Sequence, residues 1–564
     1  MIKLLDFLKH ETTESWPGII ALTLASGIAN GAVLALINAG ATAAASDALS
    51  FQLLLLFLIA IAIYILAKKI SLNRSMLMVE RMVKDLRVRV CNKLRKAELP
   101  FIETLGKGQL YTTISQDANL ISQSAFVIIH ATQGAIMVVF ALLYIAWLSP
   151  LAFFIILGSV GVALLFYYYH RKSLLADLGS QAVKDAEFLD SLGHMVDGFK
   201  EAKLNRKKND SLFAYFTNIA NATEELKVSV GLKVATDVMF SQVFFSLLIG
   251  VIVFLLPRYV PTFNVVVLQM TAAVLFIVAP LEMIVNAMPM LARANVAIDN
   301  LYSLERRLDK HLEYYDEADE ARPAAFKSSI TLKGATFTYH DAAGLPIFSV
   351  GPINLELKRG EILFITGGNG SGKSTLLKIL TGLYPLESGV LRLDRQPIQP
   401  PDIPSYRELF SAIFTDFHLF DRFYGLEDVD EKEVVRWIEE MELSNKTGFR
   451  NGKFTHLNLS TGQKKRLALI IALLEDREIY VFDEWAADQD VHFREHFYHV
   501  ILKELKDRGK TVVAVTHDDR FWNVADRRVH MEGGEVVYKE NGPKENGPPR
   551  KSRAGGARKK GEKA

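Results

Sequence analysis

Cysteine is almost missing from this chain: Cys91 is the single one among 564 residues. No intrachain disulfide can form, and a metal site built on several thiolates is excluded. Cys91 therefore reads as an ordinary packed residue. Net charge is nearly absent as well, because 65 Lys and Arg stand against 63 Asp and Glu, leaving a formal charge of +2. Nothing in that balance suggests nucleic acid as a partner, which usually demands a concentrated basic surface. What is present in excess is apolar: half the residues are hydrophobic, although 23% are charged. That combination requires a segment far more apolar than the mean. The length exceeds one ordinary domain and fits two or three.

The apolar residues gather in six runs at 17–45, 51–67, 125–148, 151–169, 238–256 and 265–281, all free of Asp, Glu, Lys and Arg, the last continuing as a span to 286. A helix of about 20 residues crosses a hydrocarbon layer of roughly 30 Å, and in lipid only a helix satisfies its own backbone. The basic residues set the orientation. Ten Lys or Arg lie in 69–124 and ten more in 170–237, whereas the three opposite connections hold only Arg258. Basic flanks stay on the cytoplasmic side, so both termini are expected there. The first run follows a segment with Glu11 and Glu14 and lacks a cleavage signal, so it reads as a retained span. The two long connections are too long for structureless loops and favour helix at 77–99 and 179–202, which predicts helical extensions into the cytoplasm. Polar turns at 108–120, with Asp117, and at 198–205 are expected at their tips, as contact points or as plain surface loops.

Beyond Glu305 the composition turns acidic over 309–329, with Pro323, and reads as a linker. Strand-like runs at 330–339, 361–366, 478–482 and 511–516 then alternate with helix-like ones, the pattern of an α/β sheet. From 541 onward eight Lys or Arg face two Glu among Gly and Pro, without apolar period. Such a tail cannot pack a core. It is either simply solvated or drawn weakly to anionic headgroups, at about 1 kcal/mol per basic residue near the surface.

The chemistry lies in the soluble half. Gly367-Gly368-Asn369-Gly370-Ser371-Gly372-Lys373-Ser374 follows an apolar strand and opens a helix-like run at Thr375. Glycines let backbone N–H groups turn inward around phosphate oxygens, and the helix amino end adds its field. Lys373 would neutralise the β- and γ-phosphates of ATP; Ser374 would ligate magnesium. A second apolar strand ends in Asp483-Glu484, where Asp483 can hold the ion through water and Glu484 can polarise the attacking water.

Between them, Leu459-Ser460-Thr461-Gly462-Gln463 resembles the LSGGQ signature of ATP-binding cassette (ABC) proteins, and six spans joined to one cassette is the layout of that family's exporters. The resemblance covers essentially the whole chain. It implies a multi-domain membrane protein: a six-helix all-α transmembrane domain (1–308), the linker (309–329), an α/β P-loop nucleotide-binding domain (330–540) and the basic tail (541–564). It implies a homodimer, since the signature residues Ser460, Thr461, Gly462 and Gln463 of one subunit close on the ATP of the other. Tyr339 resembles the aromatic that stacks on adenine, His517 the switch histidine at the γ-phosphate, and Asp490 the aspartate linking the two sites. Thr415 stands where the family usually has a glutamine that senses magnesium, so coupling there is expected to differ.

The runs 483–490, 516–519, 417–421 and 198–205 further resemble bacterial exporters of cyclic peptides and siderophores, such as those serving syringomycin and pyoverdine. ATP-driven export of such a compound across the bacterial inner membrane is the expectation. Lipid flipping and multidrug export are its alternatives, and an ATP-gated channel or regulatory subunit is a more distant one. Besides ATP, magnesium, the cargo and the second copy of the homodimer, membrane lipid is the partner implied. Polar groups inside spans mark the candidate cargo cavity. These are Asn30 and Asn38, Gln242, Gln269, Glu282 and Asn286, with Gln269 equally suited to helix-to-helix hydrogen bonding.

Overall fold

A computed structural model describes residues 7, 11, 16–45, 51–105, 107–255, 263–313, 324–341, 344–426 and 428–541. The chain separates into two units: Met1–Arg95 with Leu105–Lys310, and Lys96–Thr104 with His311–Ala564.

The first unit is helical. Its long helices are Trp16–Ala45, Phe51–Leu94, Ala118–Leu148, Pro150–Asp197, Arg206–Gly250 and Phe263–Lys310. Five described segments are long and apolar enough to cross a membrane: Pro17–Ala44, Phe51–Leu94, Thr112–Leu148, Arg206–Leu255 and Gln269–Lys310. The run expected at 151–169 falls in the helix Pro150–Asp197, where the described residues give a shorter apolar stretch, Pro150–Val162. The 48 residues of that helix span about 72 Å at 1.5 Å per residue, far more than the hydrocarbon layer. It starts sharply because the Ser149 hydroxyl accepts from the Ala152 N–H at 3.3 Å and Pro150 occupies the first helical position.

Packing inside this unit joins Leu34, Ile145, Ile156, Met270 and Val274, all nearly inaccessible. Close approach is achieved with glycine: a Cβ at Gly134 would lie 2.9 Å from the Pro280 carbonyl oxygen. The outward side is also apolar, with Phe51, Trp147 and Phe154 at 77%, 80% and 67% exposure. Contiguous apolar surface of this extent suits a lipid surround.

Two expectations need correction. The polar turn expected at 108–120 is helical: Lys107–Tyr111 leads through a π-helical turn, Thr112–Asp117, into the helix from Ala118. Thr113 and Ala118 are buried, so the helix has an inner face to pack in spite of its polar composition. The chain instead breaks ahead of a short helix, Leu99–Thr104. At the second tip, 198–205, a short helix, Phe199–Leu204, leads to Asn205, whose side chain caps the next helix. Cys91, expected to be packed, is exposed.

The second unit is α/β. Its strands are β1 Ser329–His340, β2 Pro346–Lys358, β3 Ile362–Gly367, β4 Ser388–Leu393, β5 Gln396–Pro397, β6 Phe410–Ile413, β7 Phe449–Arg450, β8 Lys453–Phe454, β9 Ile479–Asp483, β10 Thr511–Val515, β11 Arg527–Glu532 and β12 Glu535–Asn541. One sheet has the order β12-β11-β3-β10-β9-β6, with β11, β3, β10, β9 and β6 parallel; a second, antiparallel one runs β2-β1-β4-β5. Strands β3, β9 and β10 are buried at every position, as parallel strands covered on both faces must be, which is why they read as unbroken apolar runs. The short helix Leu99–Thr104 belongs to this unit: the Glu103 carboxylate accepts from Lys378 Nζ at 2.7 Å and from the Tyr384 hydroxyl. Strand β12 runs through Asn541, paired with Arg527, one residue into the expected tail. The rest of the tail, and residues 314–323 of the expected linker, lie outside the described residues.

Candidate functional site

Residues 367–374 connect β3 to the helix Lys373–Leu380. Gly367, Gly370 and Gly372 have φ of 150°, 75° and 96°, conformations that side chains rarely adopt. Space also forbids anything larger: a Cβ at Gly367 would sit 2.3 Å from the Met531 carbonyl oxygen. Lys373 is 5% exposed, and its ammonium donates to the carbonyls of Gly367 at 3.2 Å and Gly368 at 2.8 Å. The positive charge is thus held within the loop, while Gly368, Asn369 and Gly370 stay exposed at its rim. Ser371 and Thr375 are buried beside Lys373, and Ser374 is half-buried.

Parallel register brings the carboxylates to the same end of the sheet, with β10 between β3 and β9. Asp483 is 1% exposed, and neither carboxylate oxygen has a hydrogen-bond partner among the described residues. Burial pushes this carboxyl above its ordinary range; the nearby Ser374 hydroxyl and Lys373 ammonium oppose the shift and Glu484 adds to it. A carboxyl so placed calls for a proton, a hydroxyl or a cation as its partner. Glu484 adopts a left-handed backbone, φ 50° and ψ 36°. Its Oε1 lies 2.9 Å from His517 Nε2 and 3.8 Å from Lys373 Nζ. His517 stands just past the end of β10, and Thr415 is exposed in the turn after β6, the strand paired with β9.

The segment 460–463 begins the helix Thr461–Glu475 with a reciprocal cap. Ser460 Oγ accepts from the Gln463 N–H at 3.4 Å, and Gln463 Oε1 accepts from the Ser460 N–H at 3.0 Å. A Cβ at Gly462 would lie 2.6 Å from the Asp488 carbonyl oxygen, so this turn needs glycine for close approach. Thr461 is exposed. Asp490 accepts from the Phe493 N–H at 2.9 Å and from Arg466.

Four residues to which the sequence reading assigned no role, two of them within the run 483–490, complete this region. Lys465 and Arg466, buried on the same helix, reach Glu484, Asp488, Gln489 and Asp490. Trp485 is buried against Phe497, and Gln489 donates to the Gly462 carbonyl at 3.1 Å. For Lys465 and Arg466 the sequence offers only the charged run Lys464-Lys465-Arg466 as a signal.

Tyr339, near the end of β1, places its hydroxyl 3.0 Å from Thr375 Oγ1 and 3.3 Å from the Tyr384 hydroxyl. Among the span residues, Asn38 donates to the Tyr144 hydroxyl at 3.1 Å and to the Gln269 carbonyl at 3.2 Å. The Gln269 amide donates to Thr42 Oγ1 at 3.0 Å. Asn38 and Gln269 therefore serve helix-to-helix bonds. Asn30 is buried, Gln242 exposed and Glu282 half-buried, and the Asn286 side chain lies outside the described residues.

A glycine loop with an internal ammonium, beside a buried carboxylate and a partly exposed one at a strand end, is a nucleotide-hydrolysing centre, and here it follows a helical unit built for lipid. The chain belongs to the ABC transporter family, as an ATP-hydrolysing transporter of the exporter fold. The family model described as ABC transporter matches residues 350–487. ATP-binding protein SyrD of Pseudomonas syringae pv. syringae is 33% identical over 482 residues, which cover 81% of this chain and 82% of SyrD. Macrolide export ATP-binding/permease protein MacB of Escherichia coli (strain K12) is 32% identical over 197 residues, 33% of this chain and 30% of MacB. Among solved structures, a bacterial Atm1-family ABC exporter with ATP bound has the same fold, with a TM-score of 0.74 at 18% identity over 93% of this chain and 94% of that one.

Proposed function

We propose that the chain is half of a homodimer that uses hydrolysis of magnesium-bound ATP to move an amphipathic peptide- or siderophore-like compound out across a bacterial inner membrane. Both termini and the nucleotide unit are cytoplasmic in this reading, which rests on the basic residues of the two long connections. A dimer is required because each chain carries one phosphate loop and one signature. Ser460, Thr461, Gly462 and Gln463 of a second copy would meet the γ-phosphate of ATP held here, with Asp490 near the seam.

The observation that carries the proposal is the Glu484 carboxylate, 2.9 Å from His517 and 3.8 Å from Lys373 beside the glycine loop. Glu484 would accept the proton of the attacking water, and His517 would hold that carboxylate and reach the γ-phosphate. Lys373 would leave its own loop carbonyls for the β- and γ-phosphates, while the loop N–H groups and Thr375 support them. Tyr339 would stack on adenine. The buried, unpartnered Asp483 fits a hard cation with oxygen ligands. Ser374 and Asp483 would hold magnesium, with Thr415 through water; once bound, the ion neutralises phosphate charge. Cargo is proposed from the resemblance to cyclic-peptide and siderophore exporters; a mixed polar and apolar cavity with Glu282 at its mouth is part of the same reading.

The test is uptake into sealed inside-out vesicles containing the purified protein, with cyclic peptides, siderophores and lipids compared. ATP should drive accumulation against a gradient for one class, and Glu282→Gln should weaken stimulation of ATPase by that class. ATP-dependent dissipation without accumulation would instead identify a gated channel.

A further inference from the structure

Lys465 occupies an unusual place for a lysine. It lies in the first turns of the signature helix, is 3% exposed, and does not extend to solvent. Its ammonium donates to the Glu484 backbone carbonyl at 2.7 Å and lies 2.7 Å from Asp488 Oδ2. The tie is returned: Trp485 Nε1 donates to the Lys465 backbone carbonyl at 2.8 Å, and its ring stacks on Phe497 with centroids 4.3 Å apart. Two side chains, one from each segment, thus bond to the backbone of the other. Gln489 and Arg466 extend the same seam, through Gln489 to the Gly462 carbonyl and Arg466 to Gln489 Oε1.

Glu484 is the residue with most to gain from this lock. Its φ of 50° is a strained setting for a non-glycine residue, and such a conformation persists only where surrounding contacts determine it. A buried ammonium is a costly way merely to fill space, since an apolar residue of similar shape packs without desolvation. Its charge-assisted bond to the Glu484 carbonyl does something an apolar residue cannot: it fixes the peptide from which the general base projects.

We propose that Lys465 is a positioning residue that couples the two ATP sites of the dimer. The inference rests on the composite-site reading given above. There, the signature turn of each chain belongs to one site and its Glu484 to the other. The turn Gly462–Arg466 and the segment Glu484–Asp490 are bonded into one body, so closure of the signature on a second copy's ATP settles the base at this chain's own ATP. Lys465 touches neither nucleotide; it acts through Glu484.

The experiment measures steady-state ATPase of the full-length, reconstituted protein against ATP concentration for the parent and for Lys465→Gln, Lys465→Arg, Asp488→Asn and Trp485→Phe, with thermal unfolding of each. Lys465→Gln should lower kcat by between about ten- and a hundred-fold, the range for a misplaced catalytic group, with little change in KM. Its Hill coefficient should fall to unity. Lys465→Arg should restore both, because its planar donors can reach the same two acceptors. Asp488→Asn, which leaves Lys465 in place, should lower the Hill coefficient partially at unchanged melting temperature, and Trp485→Phe should lower it while also lowering the melting temperature through the space opened beside Phe497, so the proposal stays testable if Lys465→Gln fails to fold. Parental kcat and cooperativity in folded Lys465→Gln, or in both of the other variants, would overturn it. Failure of the dimer reading would show differently, as a non-cooperative parent whose Glu484→Gln form traps no dimer.

Discussion

The two units reach stability by opposite distributions of apolar side chains. In the nucleotide unit, Phe364, Tyr480 and Phe482 are sealed between sheet and helices, and what is exposed is mainly polar. In the helical unit, Phe51, Trp147 and Phe154 point outward, while the interior holds Thr23 hydrogen-bonded to Ser71 at 2.9 Å and Asn38 bonded to Tyr144. Water drives the first arrangement, because removing apolar area from it is favourable. Lipid removes that incentive and leaves close packing and interhelical hydrogen bonds to choose neighbours. Truncating a sealed side chain of the nucleotide unit is therefore expected to cost more than truncating an outward one of the helical unit.

The largest test of the contrast is chemical. Glu484→Gln should lower phosphate release by roughly a hundred- to ten-thousand-fold, the usual worth of a general base, while nucleotide binding by equilibrium titration persists. Retained hydrolysis would remove Glu484 from that role and with it the sharpest difference between the units. Next comes packing. Phe364 is 0% exposed, and its change to alanine should cost about 3–5 kcal/mol. Phe154→Ala, at 67% exposure, should stay within about 0.5 kcal/mol. Thermal unfolding in lipid nanodiscs compares the pair, and equal losses would break the comparison.

How much could be read beforehand follows the same division. The phosphate loop, Asp483-Glu484 and the signature were legible because phosphate chemistry fixes both residue type and spacing. Lys465 was not. Lys464 and Lys465 are adjacent and alike in sequence, yet one is exposed and the other buried, and only the position of Glu484 in space separates them. In the helical unit the apolar runs gave five spans among the described residues, and a shorter stretch at the expected 151–169, since hydropathy is a bulk property. The ends of the extensions were misplaced at 108–120 because polar composition does not reveal that Thr113 faces inward. Gln269 was ambiguous, and Asn38 was read as a cavity residue although it bonds to Tyr144, for a related reason: an amide inside a span suits a neighbouring helix and a cargo equally well.

Smaller effects sharpen the contrast. Asn38→Leu should destabilise the helical unit by only about 0.6 kcal/mol, the average for interhelical hydrogen bonds in lipid, and a steric-trap unfolding measurement can resolve that. Least of all should follow from deleting residues 542–564, which leaves β12 complete through Asn541. ATPase in detergent should be unchanged, whereas cutting after Tyr538 removes Lys539, Glu540 and Asn541 from their pairing with β11 and should lower the melting temperature.

The short helix Leu99–Thr104 makes the nucleotide unit discontinuous along the chain. A recombinant fragment beginning at Phe326 would contain every strand and every motif, yet it would lack Glu103. Lys378 and the almost inaccessible Tyr384 would then lose their shared carboxylate, and the Tyr384 hydroxyl is the group that Tyr339 meets at 3.3 Å. Domain dissection at the obvious linker therefore yields a truncated unit, and nucleotide affinities measured on it would describe a Tyr339–Tyr384 pair that lacks its carboxylate partner. A faithful minimal version has to graft residues 96–104 back onto the carboxy-terminal half.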